Sequence, residues 1–462
     1  MSRKNKTLIA ALGVLILLVG GYYGSTVWKK KKADTDSQPY TPPLKLGNLE
    51  SSALATVETG GLILDKKGDA WVLRSINGEV PPPGIVLDQS VTSNMTYYMG
   101  SLYVDRVVEE EPEDLSIYGL SNPSARAYVS DTEGNKVEYI LGDMTPSLTA
   151  YYVMEAGDPK VYSVSSYYAD FIKLSLDKIR DKSLFPGFGF ADIVSFSLLT
   201  PQTHLEVSLK PDGVKPYLAT SFSTHLITSP FILPRGADGQ KLNDLLAPLS
   251  ALAIEDFIDD DPASLSSYGL DKPSTISLQT TDSSIDLRIG DRVDDKIYAK
   301  LADAPGVFTL KNLDIVLNAK PFDLMDKFAL LVNIEMVDLL VISGGERTLR
   351  AEFQGKGDDA VYTLDGKKAE EKSFKTWYQA VIGLLVDAEY PSTAPKPAAS
   401  GSGNIVIEYD LNTGGGERAS ITLIPFNRDF YALLQEGQVE FLISRSQVQN
   451  IYETAEKVVF EE

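Results

Sequence analysis

The chain of 462 residues contains no cysteine. This absence excludes disulfide bonds, thiolate metal sites, a cysteine nucleophile and a cysteine that would carry a lipid anchor. Any attachment to a cell envelope must therefore come from the peptide itself.

Histidine is almost absent as well, because the chain has only His204 and His225. Two histidines leave little basis for a Ser-His-Asp triad or for a histidine-rich metal site. We expect His204 in a strand and His225 in a loop, both as solvated or hydrogen-bonded surface side chains. No GxxxxGK[ST] loop and no strand-placed GxGxxG is present, which argues against a bound nucleotide. The sequence predicts no catalytic residue, no cofactor and no metal site.

Basic residues are scarce outside the N-terminus. Residues 1–32 contain seven Lys or Arg and no acid, which leaves 36 basic against 64 acidic residues in the rest of the chain. A body with such an acidic excess repels nucleic acid and anionic membrane surfaces. Nucleic acid is therefore excluded as a partner.

One long stretch lacks charge altogether. Residues 7–28, TLIAALGVLILLVGGYYGSTVW, form an uncharged run long enough to cross a bilayer, which takes about 20 residues. A cleaved signal peptide is the alternative, but the run is longer than the usual apolar core of one and no convincing cleavage site precedes Lys29. We predict a single-pass anchor in the cell membrane. Lysines flank both sides almost equally, and we favour an extracytoplasmic body.

A sequence motif that begins at Pro112 recurs 150 residues later. The repeated positions are Pro112, Leu115, Tyr118, Gly119, Leu120 and Pro123 in the first copy and Pro262, Leu265, Tyr268, Gly269, Leu270 and Pro273 in the second. The match continues into Gly142-Asp143 and Gly290-Asp291. A third repeat is indicated by Tyr431 and Phe441, which reproduce an aromatic pair ten residues apart, although no Tyr-Gly-Leu precedes them.

The repeats suggest how the chain is organised. Alternating apolar and polar residues with Gly or Pro turns predict antiparallel strands in each repeat, and the apolar spacing predicts two helices. The fold class is therefore α+β, with tandem units of antiparallel sheet plus two helices in an elongated body. The predicted division is 1–32 for the anchor with its basic flanks, 33–49 for a linker, and 50–185, 186–328 and 329–462 for three repeats, the last abbreviated.

Two helices are expected in each repeat. The apolar stripes of the first are Val91, Met95, Tyr98 and Leu102; Leu242, Leu245, Leu246 and Leu249; and Phe374, Trp377, Tyr378, Val381, Ile382 and Leu385. The second helices are predicted at about 165–180, 311–328 and 446–459. Pro248 and Pro321 should kink or shorten two of these helices.

The repeated motif has a structural interpretation. Asp261 is a good N-cap, Pro262 fits the first helical position, and Gly269 fits the left-handed residue after two turns of helix. Leu270 then falls where a Schellman motif places an apolar residue, with Leu265 as its expected contact. A ligand-binding role for Tyr118 and Tyr268 is the alternative.

With these residues in view, the chain resembles the bacterial domain-of-unknown-function family 4340. The resemblance rests on the N-terminal apolar segment, the acid run with Pro at 109–112, the Tyr-Gly-Leu and Pro that follow, the Leu-Gly-Asp at 141–143 and a Tyr-containing strand at 151–153, repeated in part at 259–291. It implies an extracytoplasmic accessory protein associated with ABC transporters of the gliding-motility type. The expected partners are therefore a transporter permease or associated envelope proteins.

Two features leave other functions open. The acid runs at 109–111 and 259–261 lack the ligand spacing of a calcium loop, and acids near a helix start also favour the helix dipole. The chain has 23 tyrosines, including Tyr97, Tyr98 and Tyr103, which suit a binding surface as well as amphipathic strands. The alternative function is an envelope carbohydrate-binding protein or hydrolase that uses clustered acids and tyrosines.

Overall fold

A computed structural model describes residues 43–185, 187–215, 222–398, 401–413 and 415–461. The predicted anchor at 7–28 lies outside these residues. Among the helices that the structure describes, none is both long and apolar enough to cross a bilayer. The predicted linker is shorter than expected at its C-terminal side, because a strand is already formed at Leu44–Leu46.

The described chain divides into two compact units. The first contains the described residues up to Pro81 together with Leu87–Arg180, and the second contains Pro82–Val86 and the described residues from Asp181 onward. The first unit holds one large antiparallel sheet and the second unit holds two. We call each large sheet with its helices a repeat. The prediction of an α+β fold with repeated antiparallel units is confirmed at this level.

The first repeat combines an eight-stranded sheet with a separate two-stranded one. Its strands are β1 (Leu44–Leu46), β2 (Leu54–Thr59), β3 (Leu62–Lys67), β4 (Ala70–Ile76), β5 (Leu102–Val104), β6 (Arg106–Glu109), β7 (Ala125–Asp131), β8 (Lys136–Met144), β9 (Ala150–Glu155) and β10 (Val161–Ser165). Its helices are α1 (Gln89–Met99), α2 (Ser166–Ile172) and α3 (Leu176–Ile179). The strand order of the large sheet is β4-β3-β2-β7-β8-β9-β10-β6.

The second repeat has a nine-stranded sheet. Its strands are β11 (Ile193–Leu199), β12 (His204–Leu209), β13 (His225–Ser229), β14 (Arg235–Gly236), β15 (Phe257–Asp259), β16 (Ser274–Thr280), β17 (Ser284–Val293), β18 (Lys296–Leu301) and β19 (Val307–Leu310). Its helices are α4 (Gly239–Ser250), α5 (Asp314–Leu317) and α6 (Pro321–Leu324). The order β14-β13-β12-β11-β16-β17-β18-β19-β15 repeats that of the first sheet with one strand added.

The third repeat also has nine strands, so its sheet is not abbreviated. The strands are β20 (Val337–Gly344), β21 (Leu349–Gln354), β22 (Val361–Leu364), β23 (Lys367–Lys368), β24 (Ala388–Glu389), β25 (Ile405–Leu411), β26 (Arg418–Pro425), β27 (Phe430–Gln435) and β28 (Gln438–Ser444). The helices are α7 (Glu371–Ile382) and α8 (Arg445–Ala455). The order β23-β22-β21-β20-β25-β26-β27-β28-β24 matches the second sheet.

The closing helix is continuous in the third repeat. In the first repeat it is broken, which corrects the prediction, and in the second it is shortened at Pro321, as predicted. In the first repeat it breaks between α2 and α3, where the Thr59 hydroxyl donates to the Ile172 carbonyl and so satisfies a helix end. In the second repeat α5 ends before Pro321, which begins α6 because proline has no N–H to donate within a helix.

The buried face of α1 also differs from the prediction. Its core side consists of Thr92, Met95, Thr96 and Met99, whereas Val91 is exposed. The two threonines tolerate burial because the Thr92 hydroxyl donates to the Asp88 carbonyl and the Thr96 hydroxyl donates to the Thr92 carbonyl. The predicted stripe of α4 is confirmed, since all four of its leucines are buried. The stripe of α7 is confirmed for its first four members.

One hydrophobic core extends through both sheets of the second unit. A buried ion pair reinforces it, because Arg235 Nη2 of β14 lies 3.8 Å from Glu440 Oε2 of β28. Arg235 also donates to Gln435 at 2.7 Å and lies over the ring of Phe441. The Glu440 carboxylate accepts the backbone N–H of Ile232 at 2.6 Å. These contacts link the second repeat to the third within the unit.

Candidate functional site

The Tyr-Gly-Leu motif forms the same turn in the first and second repeats. A single turn of 3-10 helix ends at Tyr118 or Tyr268, and the next residue is left-handed, with φ 67° at Gly119 and 68° at Gly269. In the second repeat the N–H of Leu270 donates to Leu265 at 3.0 Å and that of Gly269 donates to Ser266 at 3.2 Å. These are the two hydrogen bonds of a Schellman motif. The prediction of a left-handed glycine and a Schellman ending is confirmed.

The predicted start of this helix is wrong. No helix begins at Pro262, because the 3-10 turn covers only Ser266–Tyr268. The acid run belongs to the end of strand β15, where Asp259 pairs with Val307. The carboxylate of Asp259 accepts the N–H of Asp261 at 3.1 Å. Residues 259–261 therefore form a turn after the strand and do not start a helix. In the first repeat the helical turn begins after Asp114, whose carboxylate accepts the N–H of Ser116.

A Gly-Asp pair from the next hairpin packs directly under each turn. A Cβ at Gly119 would lie 2.4 Å from the Asp143 carboxyl carbon, and one at Gly269 would lie 2.4 Å from that of Asp291. A Cβ at Gly142 or Gly290 would in turn lie 2.1 Å from the carbonyl oxygen of the turn tyrosine. Gly142 and Gly290 are therefore required by close approach to a backbone oxygen, whereas Gly119 and Gly269 combine a left-handed backbone with close approach to an Asp side chain. Sequence reasoning aligned the Gly-Asp pairs but did not predict that they contact the turns.

The two turn tyrosines have matching contacts. The Tyr268 hydroxyl donates to Asp259 at 3.0 Å, and the Tyr118 hydroxyl donates to Glu109. Each ring also packs edge-on against a tyrosine of the sheet, at 4.9 Å in the first repeat and 5.2 Å in the second. The hydrogen bond to the carboxylate raises the pKa of both tyrosine hydroxyls. Each phenol and each carboxylate thus satisfies the other within the chain.

The remaining positions of the repeated motif support the turn. Leu120 and Leu270 are buried, whereas Leu115 and Leu265 are half-buried. The four prolines are half-buried as well: Pro112, Pro123, Pro262 and Pro273. Pro273 immediately precedes strand β16, as expected for a residue that directs the chain into an extended conformation.

Comparison with known families bears on these turns. The profile of the family described as Domain of unknown function (DUF4340) matches residues 80–222 and 226–397. The chain belongs to this family. Searches of curated proteins and of solved structures found no match. Each of the two matched segments of this DUF4340 protein contains one Tyr-Gly-Leu turn.

The two histidines of the DUF4340 protein do not form a site. His204 begins β12 as expected and lies beside Glu206 on the surface. His225 does not lie in a loop: it begins β13 and is buried, with Nε2 2.9 Å from the carbonyl oxygen of Ile193. Within the part of the chain that the structure describes, no three His, Cys, Asp or Glu side chains come together as metal ligands.

The first repeat contains a second candidate, a cluster of six aromatic rings between α1, β5 and α2. We call this the aromatic cluster: Tyr97, Tyr98, Tyr103, Tyr167, Tyr168 and Phe171. Tyr98 is its centre, stacked on Phe171 at 6.0 Å and edge-on to Tyr168 at 5.1 Å. Tyr97 and Tyr167 keep more than half of their surface exposed.

Sequence reasoning found only half of this cluster. Tyr97, Tyr98 and Tyr103 are among the tyrosines noted as a possible binding surface, and the first two lie on helix α1, where Tyr98 was predicted. The other three rings come from α2, where a Tyr-Tyr pair and a Phe one turn later follow strand β10. That helical spacing was the available signal, and it was missed because the segment was considered only as a closing helix.

Proposed function

We propose that this DUF4340 protein is a non-enzymatic accessory or scaffold protein that works with an ABC transporter of the gliding-motility type. Residues 7–28 would hold it in the cell membrane, with its body on the extracytoplasmic side. The uncharged 22-residue run supports the anchor, and the likeness of the whole motif set to this family supports the association with a transporter.

The observation that carries the non-enzymatic part of the proposal is the pairing inside the repeated turns. The most conspicuous acids of the sequence are engaged in contacts within the chain: Glu109 accepts from Tyr118, Glu110 pairs with Lys160, and Asp259 accepts from Tyr268. Groups that satisfy one another in this way stabilise a connection between strands. The same arrangement in two repeats favours a structural role over a single reactive centre.

The alternative of an envelope carbohydrate-binding protein or hydrolase has less support. A glycosidase needs two carboxyl groups on opposite sides of a sugar, with one of them free to exchange protons. Asp259 is instead bound to Tyr268 and to the N–H of Asp261. Screening glycans and peptidoglycan fragments against the wild type and Asp259→Ala would decide this alternative, since turnover or binding lost in the variant would support it.

The transporter association is tested by crosslinking and copurification of the full-length protein in mild detergent. We expect a permease or ATPase of the ABC type in the eluate. A variant in which an unrelated transmembrane segment replaces residues 7–28 is the matched control, because a partner recruited by the body should still be recovered. If neither protein carries a permease or ATPase, the association is wrong.

The topology is tested by labelling single cysteines with a membrane-impermeant maleimide, which the cysteine-free chain makes straightforward. Glu133→Cys lies in an exposed loop of the body, and Asn5→Cys lies on the other side of the predicted span. We expect intact cells to label only the variant at residue 133. Labelling of residue 5 alone would place the body in the cytoplasm.

A further inference from the structure

An exposed hairpin loop adjoins the start of helix α2, which carries three rings of the aromatic cluster. Residues 145–149 connect β8 to β9, and the Thr149 carbonyl accepts both the N–H and the hydroxyl of Ser166, the first residue of α2. Leu148 in this loop is 72% exposed. It therefore lies next to the helix that carries Tyr167. We call the aromatic cluster together with Leu148 the aromatic face.

The conformation of Leu148 is unusual for its residue type. It has φ 58°, a left-handed value that is disfavoured for a side chain with a Cβ and is most often adopted by Gly, Asn or Asp. The matching hairpin of the second repeat, between β17 and β18, has Asp294 at φ 54°. Among the described residues with positive φ other than glycine, Leu148 is the only apolar one. The first repeat thus places a leucine in water where the second places an acid.

The charge near the aromatic face differs from that of the acidic body. Lys45 Nζ lies 4.7 Å from the centre of the Tyr103 ring, and Lys173 Nζ donates to the Tyr151 hydroxyl at 2.6 Å. The Asp170 carboxylate of α2 is paired with Lys173 and Lys178. Asp105 follows β5 and is exposed, and Glu155 of β9 accepts the backbone N–H of Gly47 at 2.8 Å. Lys45 and Lys173 therefore offset part of the negative charge near this face.

The position of the chain entry limits what can reach the aromatic face. Strand β1 begins at Leu44 and pairs with β5, which carries Tyr103. Only residues 29–43 separate it from the end of the predicted span. A fully extended chain of that length covers at most about 50 Å, which limits how far β1 and its partner β5 can lie from the end of the span.

We propose that the aromatic face rests on the lipid bilayer, with Leu148 and the exposed tyrosines in the headgroup region. This inference rests on the proposed membrane anchorage. Tyrosine is enriched at membrane interfaces because its ring is apolar and its hydroxyl is polar, and lysines beside it suit lipid phosphates. A sugar would need an open ring face for stacking, whereas the central ring, Tyr98, is already stacked on Phe171 and contacted by the edges of Tyr97 and Tyr168.

The test uses the full-length protein in vesicles of phosphatidylcholine and phosphatidylglycerol. Single cysteines at Leu148→Cys and Tyr167→Cys carry an environment-sensitive fluorophore, and nitroxide-labelled lipids serve as quenchers. Glu133→Cys is the matched control, because its loop lies at the opposite end of strand β8, about 30 Å away along the strand. Cysteine at residue 148 keeps a Cβ in the left-handed position, so it adds no new backbone strain.

We expect the proteins to float with the vesicles and the probes at 148 and 167 to lose most of their emission to lipid quencher, while the probe at 133 does not. Adding Tyr97→Ser and Lys45→Glu to the 148 variant should weaken that quenching. Floating protein with no lipid quenching at 148 and 167 would overturn the inference and leave the anchorage intact. Shielding of both probes from iodide without lipid quenching would overturn it in favour of contact with a second copy of this chain. Protein that does not float would overturn both.

Discussion

The first and third repeats each build a cluster of aromatic rings on their first helix, but only the third repeat buries it. The buried cluster consists of Phe353, Tyr362, Phe374, Trp377 and Tyr378. Phe374 and Trp377 are fully buried, and the Tyr378 hydroxyl donates to the Val332 carbonyl at 3.0 Å. In the aromatic cluster of the first repeat, Tyr97 and Tyr167 remain largely exposed.

The difference follows from the closing helix. In the third repeat α8 is a continuous helix, whose inner side buries Val448, Ile451 and Tyr452 as part of the same core as α7. In the first repeat the break after α2 leaves a short helix that brings more rings instead of a covering layer. Aromatic composition therefore does not decide whether a cluster is core or surface. What covers the helix decides it.

The strongest test of this comparison removes the largest fully buried ring of the buried cluster. Trp377→Ala should lower the free energy of unfolding by about 3–5 kcal/mol, because it leaves a large cavity in a fully buried site. Urea unfolding followed by circular dichroism measures the loss. Trp377→Phe should cost less, since the indole N–H has no hydrogen-bond partner among the described residues. Equal losses for the two variants would contradict this explanation.

The turns offer a second comparison, between two left-handed glycines of the first repeat. Gly119→Ala should destabilise by about 2 kcal/mol or more, since its Cβ meets both an unfavourable φ and the Asp143 carboxyl group. Gly134→Ala has φ 90° but open space around its Cβ, so only the backbone cost remains. The fluorescence of Trp71, which lies in the first unit, can follow unfolding there.

The same turn in the second repeat distinguishes structure from recognition. Gly269→Ala should destabilise as Gly119→Ala does, because its Cβ meets Asp291. Tyr268→Phe removes only the hydrogen bond to Asp259 and should have a smaller effect. A Tyr268→Phe protein that folds normally but no longer copurifies with a transporter would show that the turn is a recognition element.

A smaller effect is expected at the N-cap of α1. The Asp88 carboxylate accepts the N–H groups of Ser90 and Val91, and Asp88→Ala should cost about 1 kcal/mol at neutral pH. The hydrogen bond from the Ser90 hydroxyl lowers the pKa of Asp88 most strongly. The stabilisation by the Asp88 carboxylate is fully present above the unfolded pKa of about 3.9. It is lost as the pH falls through the lower pKa of the folded state. Unfolding of both proteins across this range should converge at low pH.

The smallest effect is expected on the exposed side of the aromatic cluster. Tyr167→Ala should change the free energy of unfolding by about 0.5 kcal/mol or less, since most of its surface already faces water. Thermal unfolding beside Trp377→Ala gives the direct comparison. A loss as large as that of Trp377→Ala would mean that the aromatic cluster is a core element after all.

Local patterns explain which parts of the fold could be predicted. Gly119 and Gly269 were identifiable because a helix ending depends on residues only a few positions apart. The start of the same turn was not identifiable from the sequence. The Asp259 carboxylate accepts hydrogen bonds from the N–H of Asp261 and from the hydroxyl of Tyr268, which is nine residues later in the chain. The break after α2 was missed, and the side chain that satisfies its last carbonyl, Thr59, comes from a distant strand.

The sequence by itself determined the repeats, the alternation of antiparallel strands and the left-handed glycines, because periodicity and capping act over one or two turns of chain. Only the tertiary structure decided that Asp143 and Asp291 close the turns, that His225 is buried, and that one aromatic cluster is covered while the other faces solvent. These outcomes depend on which elements pack together across long separations in the chain, and a side chain's neighbours in space are not written in its neighbours in sequence.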